Sequence, residues 1–139
     1  MPSIHYQRLA SELLPLANKF YKSQRSPMRV GRSEQVWVAQ QAEIIAACCL
    51  KPVADGHWLT ALLVAREQRQ QGIASQLLNA LRAHSQGPIW LFCAPELLSF
   101  YQRLGFAPCP ALPAELTERL LRYQRKQPLL ALAAAPQCG

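Results

Sequence analysis

A polar turn leads from an apolar run directly into an amphipathic helical pattern between Leu62 and Ser75. The first N–H groups of a helix have no partner within the helix and lie at the positive end of its dipole. A phosphate placed there gains several charge-assisted hydrogen bonds. Gly72 lets the backbone approach such a group closely, while Arg66 and Arg69 add positive charge. The turn is therefore a candidate site for a pyrophosphate group.

The same pattern, Arg69-x-x-Gly72-x-Ala74, also has a purely structural interpretation. Gly72 would then only begin a surface helix, and the arginines would be solvated. The segment lacks the G-x-G-x-x-G pattern of a dinucleotide-binding fold and the G-K-[ST] pattern of a P-loop. The spacing by itself supports neither nucleotide class, and it leaves both interpretations of the turn open.

A second segment, Phe100-Tyr101-Gln102-Arg103-Leu104-Gly105-Phe106, follows a strand-like run further along the chain. Tyr101 comes four residues after Leu97 and three before Leu104, a spacing that by periodicity alone favours a half-buried core position. Taken together and in this order, the two segments resemble the GNAT superfamily of acyl-CoA-dependent N-acetyltransferases. The resemblance spans about residues 36 to 107.

The resemblance implies an α/β protein with the GNAT fold. In that fold a mixed central sheet of about six or seven strands has helices on both faces, and its central parallel strands are splayed. The resemblance also implies that the central strand pairs with the pantetheine arm of coenzyme A, as an added strand would. By position, the pairing groups belong to Leu62, Leu63 and Val64. The implied cradle for the pyrophosphate consists of Arg69, Gln70, Gln71, Gly72, Ile73, Ala74 and Ser75.

The implied activity is transfer of an acetyl group from acetyl-CoA, a co-substrate, to a primary amine by direct attack in a ternary complex. Tyr101 matches the family's tyrosine, whose phenol protonates the departing thiolate or stabilises it by a hydrogen bond. Many members place a glutamate on the central strand, but this strand reads His57-Trp58-Leu59-Thr60-Ala61-Leu62. His57 is the candidate base, with Glu43 or water-relayed proton loss as alternatives. The missing carboxylate also supports a second hypothesis, a non-catalytic acyl-CoA-binding domain.

Periodicity predicts the elements that must position these residues. Alternating strands and helices indicate an α/β sheet whose central strands are at least partly parallel. A first strand around Ile4 and Tyr6 precedes a helix for which Ser11 is the predicted cap. Pro52, Asp55 and Gly56 are assigned to a turn. Further strands are predicted at 35–40, 43–50, 57–64, 89–93 and 129–133, and helices at 96–104, at 114–127 and from Gly72 onward.

Length and composition favour a single domain over residues 1–139, with core motifs at 57–106 and a tail helix and final strand at 114–134. The 139 residues are 50% hydrophobic and 17% charged, which suffices for one packed core. A net charge of +7 favours an anionic ligand. The expected acceptor is a small-molecule or peptide amine. Nucleic acid is not expected, because basic and aromatic residues are not interleaved. The tail helix makes a homodimer one option.

Cysteine usage and hydropathy predict a cytoplasmic protein. Five cysteines are odd in number, and Cys48 and Cys49 are adjacent in an apolar run, so neither a disulfide framework nor a C-x-x-C metal site fits. We interpret Cys48, Cys49 and Cys93 as small buried hydrophobes. No metal is expected, since His5, His57 and His84 are scattered. No membrane association is expected either, because the longest apolar stretches are far below the roughly 20 residues of a membrane span.

Overall fold

The computed structural model describes residues 3–31, 33–109 and 111–135 of the chain. These residues form seven strands, numbered here in chain order: β1 (His5–Arg8), β2 (Gln35–Gln40), β3 (Ile44–Val53), β4 (Gly56–Val64), β5 (Ile89–Cys93), β6 (Ala107–Pro108) and β7 (Leu130–Ala134). The α-helices are α1 (Leu14–Ser23), α2 (Ile73–Ala83), α3 (Leu98–Arg103) and α4 (Ala114–Gln124). None of the helices in the described ranges is long and apolar enough to cross a membrane.

The strands form one mixed sheet in the order β1-β2-β3-β4-β5-β7-β6, so the predicted α/β class and the number of strands are confirmed. The β1–β2, β2–β3, β5–β7 and β6–β7 pairs are antiparallel. β4 and β5 are parallel, with His57 opposite Ile89 and Trp58 opposite Trp90. These pairs lie at the beginning of the two strands. Pairing limited to the beginning of each strand is what splayed central strands would show.

The chain divides into two compact units, of which the first comprises the residues up to Lys51 together with Leu59–His84. Alternate residues of β2 face opposite sides of its sheet. Val36 and Val38 share a core cluster with α1, which buries Ala17, Phe20 and Tyr21 at helical spacing. Trp37, between them, contacts His84 at the end of α2, with ring centroids 5.5 Å apart. The two helices therefore cover opposite faces, as predicted.

The second unit comprises Pro52–Trp58 and the residues from Ser85 onward. Its core cluster consists of Val53, Trp58, Trp90 and Leu116, and Phe92 packs against this cluster. The ring centroids of Trp58 and Phe92 lie 5.4 Å apart. Arg119 of α4 places its guanidinium carbon 4.8 Å from the centroid of the Trp58 ring, a distance at which a cation is attracted by the ring face.

Three local predictions from the sequence are wrong. Ser11 does not cap a helix with its side chain; it begins a 3-10 turn, and α1 starts at Leu14 with a proline in its first turn. β3 continues through Pro52, because the next residue, Val53, is buried in the core of the second unit. The turn to β4 is instead made by Ala54, with a φ of 49°, and Asp55. The two-residue β6 lies where the sequence predicts no strand, since two residues carry no alternating pattern.

The cysteines of β3 and β5 are buried free thiols, as predicted. Burial raises the pKa of Cys48 and of Cys93 above the usual range. Burial, and then the charge of Glu34, raises the pKa of Cys49 to about 12. These thiols are therefore protonated at neutral pH, which makes them poor nucleophiles. Cys109 is half-buried, and Cys138 lies outside the described residues.

We expect native alkylation to separate these thiols. At pH 8, iodoacetamide should label Cys109 at least about tenfold faster than Cys48, Cys49 and Cys93, because the buried thiols are both inaccessible and protonated. Peptide mapping by mass spectrometry measures each site separately. Alkylation in denaturant is the control and should label all of them alike. Native labelling of Cys49 at the rate of Cys109 would contradict the buried, inert assignment.

Candidate functional site

The end of β4, the turn after it and the start of α2 form one continuous segment in the first unit. Leu62, Leu63 and Val64 end β4, and each is half-buried. A short 3-10 turn, Arg66–Gln68, follows, and α2 begins at Ile73. α2 packs against β1 and β2 through residues that are fully or almost fully buried: Ile73, Leu77, Leu78 and Leu81. All the residues predicted to bind coenzyme A therefore lie together in this segment.

The backbone of this turn is left-handed at Gln70, with a φ of 65°, and at Gly72, with a φ of 77°. A left-handed residue other than glycine costs roughly 1–2 kcal/mol, which Gln70 bears here. Turns of this kind direct successive N–H groups to one side and form a concavity that binds anions. Gly72 is the N-cap of α2, and within the described residues no side chain caps this helix. A Cβ added to Gly72 would have no atom within 4 Å, so there is open space beside the backbone at this residue.

Three hydrogen bonds hold the turn at the end of the strand. The Ala65 N–H donates to the Ile45 carbonyl at 2.8 Å, which joins the start of the turn to β3. The Arg66 N–H donates to the Gln24 side-chain oxygen at 3.1 Å, which joins it to the residue after α1. Arg69 Nε donates to the Val64 carbonyl at 3.1 Å. Arg69 was predicted to add charge and to belong to the pyrophosphate cradle, and its side chain also fixes the turn to β4.

β4 is irregular at Ala61, which has a left-handed φ of 58°. The Tyr21 hydroxyl donates a hydrogen bond of 2.7 Å to the Ala61 carbonyl and lies 3.8 Å from Cys49 Sγ. Burial raises the pKa of Tyr21 far above its usual range, so this phenol remains a neutral donor. The sequence gives no sign of this contact, since nothing near Ala61 signals a left-handed residue.

Tyr101 lies on α3 in the second unit and is 8% exposed. The ring centroids of Phe100 and Phe106 lie 5.0 Å and 5.9 Å from its own, both edge-on. The Tyr101 carbonyl accepts the Phe106 N–H at 3.1 Å, and Gly105 between them has a φ of 93°. The chain therefore turns back after α3 at a left-handed glycine, and the tyrosine ring contacts two phenylalanines.

The two candidate bases occupy different elements. His57 is the second residue of β4, lies in the second unit, is half-buried, and donates its backbone N–H to the Pro88 carbonyl at 3.0 Å. Glu43 is exposed, precedes β3, and lines a cavity of about 330 Å³ beside Lys19 and Phe20 of α1. Over the described ranges, no group of three histidine, cysteine or carboxylate side chains is placed to hold a metal ion.

A family model for the acetyltransferase (GNAT) domain matches residues 32–108, more than half of the chain. A GNAT-family acetyltransferase from Staphylococcus aureus Mu50 is 13% identical with a TM-score of 0.63, over 97% of this chain and 100% of that one. Tetrahymena GCN5 is 12% identical with a TM-score of 0.70, over 96% of each chain.

A third solved structure is N-acetylglutamate synthase from Neisseria gonorrhoeae, complexed with coenzyme A and N-acetyl-glutamate. It is 14% identical with a TM-score of 0.67, and the match covers 99% of this chain but 36% of that one. None of the curated proteins matches the chain. At these identities the likeness to solved structures establishes the fold, which is the GNAT fold predicted from the two motifs.

Substitutions at Gly72 should show whether this position needs glycine for its left-handed backbone conformation or for lack of room for a side chain. Replacing glycine by alanine stabilises a protein where φ is compatible, whereas here the left-handed φ should make Gly72→Ala destabilising by about 1 kcal/mol. Gly72→Asn is the matched control, because asparagine tolerates this conformation, and it should be destabilised less. The free energy of unfolding in urea measures both variants. An alanine variant as stable as the wild type would show that residue 72 does not need the left-handed conformation.

Proposed function

Because the chain belongs to the acetyltransferase (GNAT) family, we propose that it transfers an acetyl group from acetyl-CoA to a primary amine by direct attack in a ternary complex. The observation that carries the proposal is the open, left-handed turn of Gln70 and Gly72 at the uncapped N-terminus of α2. A diphosphate bound there would receive several backbone N–H groups at the positive end of a helix. The net charge of +7 favours a ligand with several phosphate charges.

We assign coenzyme A binding to the continuous segment that contains this turn. Leu62, Leu63 and Val64 would pair with the pantetheine arm through backbone groups, as an added strand does. The diphosphate would lie against the cradle of Arg69, Gln70, Gln71, Gly72, Ile73, Ala74 and Ser75. Most of these residues contribute backbone N–H groups, so residue type matters chiefly at Gly72. The two bonds that join Val64 and Ile45 to this turn keep the strand end and the cradle together.

The chemistry requires a proton acceptor, an oxyanion donor and a proton donor. Acetyl-CoA supplies the acetyl group as a thioester, whose C–S bond breaks as the C–N bond forms. A backbone N–H at the end of β4 would donate to the developing oxyanion. We assign Tyr101 as the donor of the proton that converts the departing thiolate to a thiol, and His57 as the group that takes the amine proton. The acceptor we propose is a small-molecule or peptide amine.

A thiol-release assay tests the activity. Acetyl-CoA should release free thiol in the presence of at least one amine from a panel of polyamines, aminoglycosides, amino acids and peptides with free N-termini. Because β4 has no carboxylate between Gly56 and Val64, a non-catalytic acyl-CoA-binding domain is the second candidate function. It predicts that calorimetry detects coenzyme A binding while no amine in the panel stimulates release. Absence of coenzyme A binding would reject both functions.

Tyr101→Phe should lower kcat while coenzyme A affinity is retained. Loss of a general acid costs about 100-fold or more in rate, and we expect at least a tenfold loss if water replaces the phenol in part. Calorimetry should give a Kd for coenzyme A within about twofold of the wild type, because the phenyl ring keeps its contacts with Phe100 and Phe106. Tyr123→Phe, at a tyrosine exposed on α4, is the matched control. Unchanged kcat in Tyr101→Phe would remove the tyrosine from the mechanism.

His57→Gln tests the assigned base through the pH profile. An imidazole accepts a proton only when neutral, so the wild-type rate should rise with pH until His57 is deprotonated. The variant should lose this rise, together with at least tenfold of kcat/KM. If the amine instead binds neutral and releases its proton through water, the profiles of wild type and variant will coincide.

A further inference from the structure

The left-handed backbone of Ala61 is not a conformation that alanine favours. It lies inside β4, directly before the segment Leu62–Val64, and its φ is 58°. Alanine has a Cβ, so this conformation is unfavourable and must be held by contacts from outside the strand. The contact in the structure is the hydrogen bond of 2.7 Å from the Tyr21 hydroxyl to the Ala61 carbonyl. The two residues are 40 positions apart in the sequence.

Tyr21 is well placed to hold that carbonyl. It is 0% exposed, and its ring centroid lies 5.7 Å from that of Phe20. Cys49 Sγ lies 3.8 Å from the hydroxyl, so the oxygen has a second polar neighbour besides the Ala61 carbonyl. The ring belongs to the same core cluster as Val36, Val38 and Cys49. The hydroxyl therefore keeps its position without freedom to rotate away into solvent.

The bond also sets the direction of the next N–H group. No peptide in the described residues is cis, so the Ala61 carbonyl and the Leu62 N–H point in opposite directions from one planar unit. With the carbonyl directed at Tyr21, the Leu62 N–H is directed away from α1. Loss of the Tyr21 bond would allow Ala61 to return to an extended conformation, which would rotate this peptide and turn the Leu62 N–H elsewhere.

We propose that Tyr21 is a positioning residue that holds Ala61 left-handed and thereby directs the Leu62 N–H at the thioester carbonyl of acetyl-CoA. This rests on the proposed function, because it refines which backbone group donates to the developing oxyanion. Tyr21 acts through Ala61 and touches no reacting atom. In this refinement the Leu62 N–H serves the thioester, and the pantetheine arm pairs with the remaining backbone groups of Leu62, Leu63 and Val64. The Tyr21 hydroxyl should therefore affect the chemical step and the environment of the Leu62 amide, and leave coenzyme A affinity nearly unchanged.

Tyr21→Phe tests the role, since it removes the hydroxyl and keeps the buried ring. With the fastest amine from the thiol-release panel, kcat should fall at least tenfold, while the Kd for coenzyme A stays within about twofold. In the wild type, the Leu62 amide signal in NMR should shift on addition of acetyl-CoA more than on addition of coenzyme A. In Tyr21→Phe this difference should disappear. Tyr123→Phe is the matched control and should behave as the wild type does.

Ala61→Gly supplies the rescue, because glycine adopts the left-handed conformation without cost. Tyr21→Phe should lower Tm less in the Ala61→Gly background than in the wild-type background, and kcat should be restored to within about threefold of Ala61→Gly alone. Ala47→Gly, in β3, is the control for a general effect of glycine in a strand. It should lower Tm and leave the effect of Tyr21→Phe unchanged.

The outcomes distinguish this proposal from the proposed function. If the wild type binds no coenzyme A, the function fails, and the role of the Leu62 N–H fails with it. If the wild type binds coenzyme A but Tyr21→Phe keeps its kcat and its Leu62 shift, the function stands and the positioning role is overturned. Equal Tm losses for Tyr21→Phe in the wild-type and Ala61→Gly backgrounds would likewise overturn it.

Discussion

The proposed site relies chiefly on backbone N–H groups, so it depends on the directions in which those groups point. A regular strand uses its N–H groups for pairing, and a regular helix uses all but its first ones. The first unit departs from both regular patterns at Ala61, Gln70 and Gly72, which are left-handed. Under the proposed function, the amides at the end of β4 and at the start of α2 are the groups that would bind the ligand.

Such a backbone is strained, and apolar packing on either side of the sheet supports it. α2 is fixed by residues with almost no exposed surface, including Ile73 in its first turn, so its N-terminus cannot shift away from the strand that precedes it. α1 is fixed by Phe20 and Tyr21 on the other face, and the tyrosine also reaches Ala61 with its hydroxyl. Conformations that cost a few kcal/mol persist only where surrounding structure determines them in this way.

The side chains assigned to chemistry are few, and this agrees with a reaction that forms no covalent enzyme intermediate. The described cysteines of β3 and β5 are buried thiols whose pKa values are raised, so they do not compete as nucleophiles. Tyr101 contacts two aromatic rings edge-on in the second unit, and these contacts restrict its rotamers. β4 offers no carboxylate, so the proposed acceptor of the amine proton is His57, with Glu43 or water as the alternatives.

The sequence by itself determined the family, the α/β class and the segment of the candidate site, because these depend on local signals. Apolar periodicity marks α2, and a glycine before its first apolar residue marks the turn, whatever the rest of the chain does. Only the tertiary structure decided that Ala61 is left-handed, that Tyr21 holds its carbonyl, and that Arg69 bonds back to Val64. The structure also shows that β3 continues past Pro52 and that Ala107–Pro108 forms a strand. Most of these features arise where distant segments meet, and a contact between residues 40 positions apart leaves no periodicity for a local pattern to detect.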